Sequence, residues 1–287
     1  MLIDAHFHSW QLSREDYGWL TPEIGSIYRD VAVADWQNLA EPLGITGGIL
    51  VQAAPTVAET EYLLKLADEH SETNPAVLGV VGWVDFTAAD AVSKIAQLAK
   101  HPKLKGLRPM LHDLPDPAWI LQPAVQPALV AMSQLGLVLD ALVRPVHLPH
   151  ILKIAQRYPN LAIVIDHCAK PEIARGLEVA WQPWADGMAA LADLTNVSCK
   201  LSGLFNEAGK PQSTSNYKPW IEYILHTFGV GRVIWGSDWP VLELAGDYHD
   251  WFVECRSCIL TLSNDTIKTN NFIENIFNNN AKRIYQL

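Results

Sequence analysis

The sequence predicts an α/β fold, a (β/α)8 TIM barrel built as one domain over residues 1–287. Three observations lead there. Eight short runs rich in β-branched residues alternate with segments whose apolar positions recur three or four apart, the pattern of repeated βα units. At 287 residues with 49% hydrophobic and 18% charged content, the chain can bury a core of the size a barrel needs. No glycine-rich dinucleotide fingerprint follows the first strand, where an open doubly wound sheet would carry one.

The elements follow in order. Strands are expected at 2–8, 45–53, 77–85, 104–110, 135–143, 161–169, 197–204 and 232–239, the last stopped by Pro240, which cannot donate to a ladder. Helical spacing fills 56–70, 88–100, 123–135 and 148–157 between them. Two connections exceed what a minimal barrel needs: 10–30, rich in Trp, Tyr and Pro, and 203–220. Both leave the C-terminal face of the barrel, so they read either as walls over a substrate or as packing excursions. The run Asn278-Asn279-Asn280 reads as a break before a short last helix.

The first strand carries the strongest chemical signal, His6 and His8 in Asp4-Ala5-His6-Phe7-His8. Strand alternation puts Asp4, His6 and His8 on one face and Ile3, Ala5 and Phe7 on the other. Two imidazoles at the C-terminal end of a barrel strand can hold one metal ion or polarise one substrate oxygen. Partners are expected at other strand ends. His167 closes Ile163-Val164-Ile165-Asp166-His167 and, counting by twos, shares a face with Ile163 and Ile165. Asp238 follows Val233-Ile234-Trp235, and Arg108 ends the fourth strand. A single buried histidine or an Asp before a Trp-Pro is ordinary; four such residues at the same end of separate strands are not.

Together these segments resemble the amidohydrolase superfamily. The carriers are the HxH pair, His-Cys-Ala-Lys-Pro at 167–171 and Gly-Ser-Asp-Trp-Pro at 236–240. Gln52 after Ile49-Leu50-Val51, the Gly82-Trp83-Val84-Asp85 and Lys105-Gly106-Leu107-Arg108 segments, Cys199-Lys200-Leu201-Ser202-Gly203 and the closing Asn280-Ala281-Lys282-Arg283 bring the resemblance closest to the L-fuconolactonase-like branch. It spans nearly the whole chain. The resemblance implies hydrolysis of a sugar-acid lactone such as L-fucono-1,5-lactone, with Asp238 as general base and His6, His8, His167 and Lys170 completing the catalytic set. Binuclear members carry a carbamylated lysine at the end of strand 4 and a histidine at the end of strand 5. Here Arg108 and the region around Asp140 stand in those places, which leaves room for one metal at most. That metal would be held by His6, His8 and Asp238, with His167 as a further ligand, and zinc suits such N/O donors. Metal-independent catalysis is the alternative, and no organic cofactor is expected.

Substrate contacts are expected from Arg108, whose planar fork suits paired oxygens, and from Gln52 and Lys200 as donors to hydroxyls. Trp10, Trp83 and Trp239 offer apolar faces to sugar C–H groups. Two rival readings stand beside the lactonase. One is a sister amidohydrolase activity, a dicarboxylate lactone hydrolase or a decarboxylase, which would call for several arginines at the mouth; only Arg108, Arg144 and Arg14 sit suitably. The other is a non-catalytic barrel that binds a sugar acid, a role with no use for a general base beside three imidazoles.

Net charge of −10 and the absence of a basic run exclude nucleic acid and an anionic membrane surface as main partners and favour a small-molecule lactone. Oligomeric state is left open, a homo-oligomer included. With no signal-like segment and no membrane-length apolar run, the expected location is cytoplasmic. Cys168, Cys199, Cys255 and Cys258 are too few and scattered for a disulfide framework and read as free thiols.

Overall fold

In the computed structural model, which describes residues 1–209, 217–262 and 265–287, eight parallel strands stand side by side in chain order. They are β1 (Leu2–Phe7), β2 (Ile45–Val51), β3 (Ala76–Gly82), β4 (Leu104–Leu107), β5 (Val138–Ala141), β6 (Ile163–Ile165), β7 (Val197–Leu201) and β8 (Val233–Trp235). The ring closes between its first and last members. The His8 N–H donates to the Trp239 carbonyl at 2.8 Å, and the Asp238 N–H donates to the His6 carbonyl at 2.8 Å. The predicted TIM barrel is therefore the observed one. Its strands stop short of their expected C-terminal limits because the residues beyond leave the ladder to build the mouth.

Helices wrap the outside: α1 (Val33–Ala40), α2 (Val57–Glu69), α3 (Ala91–Leu98), α4 (Gln126–Leu135), α5 (Leu148–Arg157), α6 (Leu177–Ala192), α7 (Leu204–Ala208), α8 (Lys218–Phe228), α9 (Tyr248–Leu260), α10 (Thr266–Glu274) and α11 (Asn280–Tyr285). The four segments read as helical from their spacing supply α2 to α5. In α5 the residues Leu148, Ile151, Ile154 and Ala155 form the buried stripe that the spacing requires. Helix α2 starts where Thr56 accepts from the Glu59 N–H, satisfying one of the donors that a helix start leaves open.

Two cores result. Ile3, Ala5, Ile49, Val51, Val81, Val138, Val164 and Ile234 point into the barrel, where Ala281, Ile284 and Tyr285 of α11 meet them and plug the end away from the mouth. Alternate strand residues such as Leu50, Leu139, Ile163 and Ile165 pack outward against the helices. The asparagine run does not break the chain. Residues Asn275–Asn279 form a π-helical turn that joins α10 to α11 without interruption, and the Asn280 side-chain amide donates to the carbonyls of Val230 and Val233 at 2.8 Å each. These bonds tie α11 to β8.

Connection 10–30 packs rather than projects. Trp10, Tyr17, Leu20 and Ile27 are buried, and Trp10 exchanges backbone hydrogen bonds with Val31. Residues 210–216 of the second long connection lie outside the described residues; the remainder forms α7 and the start of α8. Among the described residues no helix is long and apolar enough to cross a membrane.

Candidate active site

Strand β1 reaches the mouth through an irregularity. Its register with β2 slips between Asp4 and Phe7, so the simple alternation expected for Asp4, His6 and His8 fails. Asp4 faces the helical layer, accepting from Trp36 Nε1 at 3.0 Å, Tyr248 Oη at 2.8 Å and Ser237 Oγ at 2.7 Å. His6 and His8 turn to the barrel mouth. Asp4 is thus a structural post under the HxH pair, not part of its face.

The same counting fails for His167. Ile163 and Ile165 lie in the outer core, yet His167 sits within the mouth. The reason is backbone: β6 ends at Ile165, and His167, Cys168, Ala169 and Lys170 have φ of 51°, 51°, 62° and 48°. Four successive non-glycine residues in the left-handed region are strained, and such strain collects at functional sites. Gly203, itself at φ 70°, makes room; a Cβ there would lie 2.8 Å from His167 Cβ. Asp238 adopts φ 61° at the end of β8, and Gly236 leaves space for His6, whose Cβ would be 2.7 Å from an added methyl.

Four side chains converge. His6 Nε2 lies 3.3 Å from His8 Nε2 and 3.5 Å from Asp238 Oδ1, His8 Nε2 lies 3.3 Å from the same oxygen, and His167 Nε2 lies 3.7 Å from it. The His8 Nδ1–H donates to the Val51 carbonyl at 2.8 Å, which turns Nε2 to Asp238. His167 Nδ1 pairs with Ser202 Oγ at 2.8 Å. Burial holds His6 and His167 well below the usual imidazole range, so both are neutral at pH 7. Burial pushes the Asp238 carboxyl up, but the neighbouring imidazoles of His167 and His8 outweigh it and hold the group below its ordinary value. An ionised carboxylate beside the neutral His6 and His167 is able to take a proton.

The distances also test whether a metal fits. Three ligands on one tetrahedral zinc, with bonds of about 2.0–2.1 Å, stand about 3.3–3.4 Å apart. His6 Nε2, His8 Nε2 and Asp238 Oδ1 have nearly that spacing, and the carbonyl bond of His8 is the usual outer support of a ligating imidazole. The donor set therefore fits one ion. Arg108 Nη1 approaches the same His6 Nε2 lone pair at 3.3 Å, and one lone pair serves only one of them.

A cavity of about 190 Å³ opens over His8, His167 and Asp238, with Arg108 and Lys170 also in its wall among the expected residues; His6 lies buried behind them. Trp19, Met110, His112, Asp113 and Leu142 are among the other lining residues. These escaped the sequence reading, although Met110, His112 and Leu142 stand just past the ends of β4 and β5, where a barrel collects its site residues. Lys170 is paired with Glu207 at 2.5 Å.

Other expected contacts lie elsewhere. Lys200 is wholly buried beneath His6, 2.6 Å from Asp140 Oδ2, 2.9 Å from Asp166 Oδ1 and 3.3 Å from His6 Nδ1, so it cannot donate to a hydroxyl in the cavity. A lysine that far from solvent needs both carboxylates, and they keep it charged against the cost of burial. Gln52 is buried and clamps Arg108: its Oε1 accepts from Nη2 at 3.1 Å and its Nε2 donates to the Arg108 carbonyl at 3.0 Å. Trp10 is buried and Trp239 nearly so; their indoles donate to the Arg29 carbonyl and to Glu243. Trp83 lines a neighbouring cavity. Of the extra arginines, Arg14 is held by Asp16 at 2.7 Å, and neither it nor Arg144 lines the cavity over Asp238.

Comparison with known proteins adds the family. The amidohydrolase family model matches residues 3–287. The chain is 46% identical over 259 residues to an L-fucono-1,5-lactonase of Burkholderia ambifaria, covering 89% of this chain and 87% of that one. It is 31% identical over 256 residues to an L-fucono-1,5-lactonase of Burkholderia multivorans, covering 86% and 85%. A crystal structure of an amidohydrolase from Burkholderia multivorans with bound zinc superposes with a TM-score of 0.91 at 28% identity, over 100% of this chain and 99% of that one.

Proposed function

The chain belongs to the amidohydrolase family, and on that premise we propose that it is a hydrolase that opens a sugar-acid lactone to the free hydroxy acid, with L-fucono-1,5-lactone as the model substrate. The observation that carries this reading is Asp238 Oδ1, an ionised carboxylate within 3.3–3.7 Å of three imidazoles at the floor of a cavity sized for one ring.

Asp238 accepts the proton of the attacking water and returns it to the ring oxygen as the C–O bond breaks. Arg108 and Lys170, in the cavity wall, bring positive charge to the oxygen on which negative charge develops. His6, His8 and Asp238 would hold the metal, with His167 beside them, and zinc is the ion we assign. When bound, it would lower the pKa of water or polarise the ester carbonyl. His8 is fixed for this task by Val51, and the Arg108 guanidinium keeps Gln52 and Asp166 as partners once it gives up His6.

The cavity favours a neutral sugar lactone over a dicarboxylate, since among the described residues Arg108 is its only arginine. Residues 1–287 act as one catalytic domain in this reading. The free, buried thiols of all four cysteines suit a reducing compartment, and we place the enzyme in the cytoplasm.

The test is acid release from a panel of aldonolactones, followed with a pH indicator on protein as purified, after chelator treatment and as Asp238→Asn. One sugar lactone should open rapidly, with the rate reduced roughly 10²–10⁴-fold in Asp238→Asn. No turnover above the spontaneous rate on any sugar lactone would overturn the reading.

A further inference from the structure

Beside the catalytic cavity lies a second one, of about 300 Å³, walled on one side by Trp83, Phe86 and Trp119. It shares Met110 and Asp113 with the first, so the two adjoin along those residues. The catalytic cavity, at about 190 Å³, has room for a single ring. The second adds the volume of another.

Trp10, Trp19, Trp36, Trp184, Trp239 and Trp251 each donate their indole N–H to a carbonyl or carboxylate, while Trp181, Trp220 and Trp235 make no such bond among the described residues and sit in aromatic clusters away from both cavities. Trp83 and Trp119 are half-buried, and among the described residues neither indole N–H has a partner. Exposed carboxylates of Asp85 and Asp113 stand at the rim. Aromatic faces for C–H groups, two unclaimed donors and two acceptors are what a ring bearing hydroxyls on its edge and C–H groups on its faces requires. A purely apolar ligand would leave both indole donors unused, and an anionic one would meet Asp85 and Asp113, which already hold Thr87 and His112.

From this geometry we infer that the Trp83/Trp119 cavity is a second sugar subsite, and that the enzyme takes aldonolactones carrying a glycosyl group on one ring hydroxyl. The inference rests on the lactonase reading and names its substrate class. The reaction is unchanged: water adds to the carbonyl carbon, the lactone C–O bond breaks, the proton passes to the ring oxygen, and the glycosidic bond stays intact.

The experiment compares the best-hydrolysed simple aldonolactone with its monoglucosylated derivatives, one for each free hydroxyl, in wild-type protein, Trp119→Ala and Trp119→Phe. One derivative should be hydrolysed with kcat/KM at least equal to that of the parent. Trp119→Ala should lower that value about tenfold while leaving the parent lactone within about twofold, and Trp119→Phe, which keeps an aromatic face, should recover most of the loss. Hydrolysis of the parent with every derivative rejected overturns the subsite and leaves the lactonase reading intact. An equal loss on parent and derivative in Trp119→Ala also overturns it, as a general structural effect. Failure of the parent as well overturns both.

Discussion

The Nδ1–H of His8 donates to the carbonyl of Val51 at 2.8 Å, a bond from the end of β1 to the end of β2. It fixes the orientation of the imidazole and turns its Nε2 to Asp238, 3.3 Å away. Either role proposed for the histidines, metal ligand or polar anchor, depends on that orientation.

Metal uptake separates the two roles. After chelator treatment, isothermal calorimetry with zinc should show one equivalent bound by the wild type. His8→Ala should bind more weakly by more than the roughly 10–100-fold that loss of an outer-shell partner costs. Wild-type protein that takes up no zinc would leave the imidazoles as hydrogen-bonding groups only.

Gly203 tests the strained entry of His167. In Gly203→Ala the new methyl lies 2.8 Å from His167 Cβ at a φ of 70°, so the strained turn and the imidazole must both shift. We expect a loss of about 1–3 kcal/mol in stability and of about 10² in kcat/KM, the order that a displacement of about 1 Å at the site produces. Thermal melting and steady-state kinetics report the two separately; an unchanged kcat/KM would show that His167 can move without consequence.

Beneath the site, Lys200→Met removes the ammonium between Asp140 and Asp166. Breaking a buried pair by deleting one member should cost about 3–5 kcal/mol, read by urea denaturation. Adding Asp140→Asn should return part of it, because one stranded charge is then removed. A single variant as stable as wild type would mean that water already relieves those carboxylates.

Glu59 predicts a pH dependence of stability. Its carboxylate accepts from the Ala53 and Ala54 N–H groups, yet burial, the larger influence, raises its pKa from 4.5 to about 7. Between those values the folded protein keeps a proton that the unfolded chain has released, so stability falls as pH rises from 4.5 to about 7 and levels off above. The loss should reach about 3 kcal/mol. Urea midpoints of wild type and Glu59→Gln at pH 5, 6, 7 and 8 isolate it: the difference between the two should change over this window, and parallel curves would show that Glu59 titrates normally.

The fold and much of the site were legible in the chain because they rest on local periodicity. Alternating βα segments identify eight strands, and a barrel places each strand's C-terminal residue at one mouth whatever the loops do. Hence His6, His8, His167, Asp238 and Arg108 are gathered at one mouth by the sequence pattern. Which way a side chain turns at a strand end is a different matter. A slip in β1 set Asp4 apart from the histidines, and a left-handed run after β6 swung His167 inward against the count by twos. Lys200 and Gln52 show the same divide: both are long polar side chains near the mouth, and only the packing around them decides that one neutralises buried carboxylates and the other clamps an arginine. Period and composition are properties of neighbours in sequence, so the sequence by itself determined the barrel and the residues at its mouth. The tertiary structure alone decided orientation and pairing, because backbone irregularities and buried charge partners arise from contacts between segments far apart in the chain.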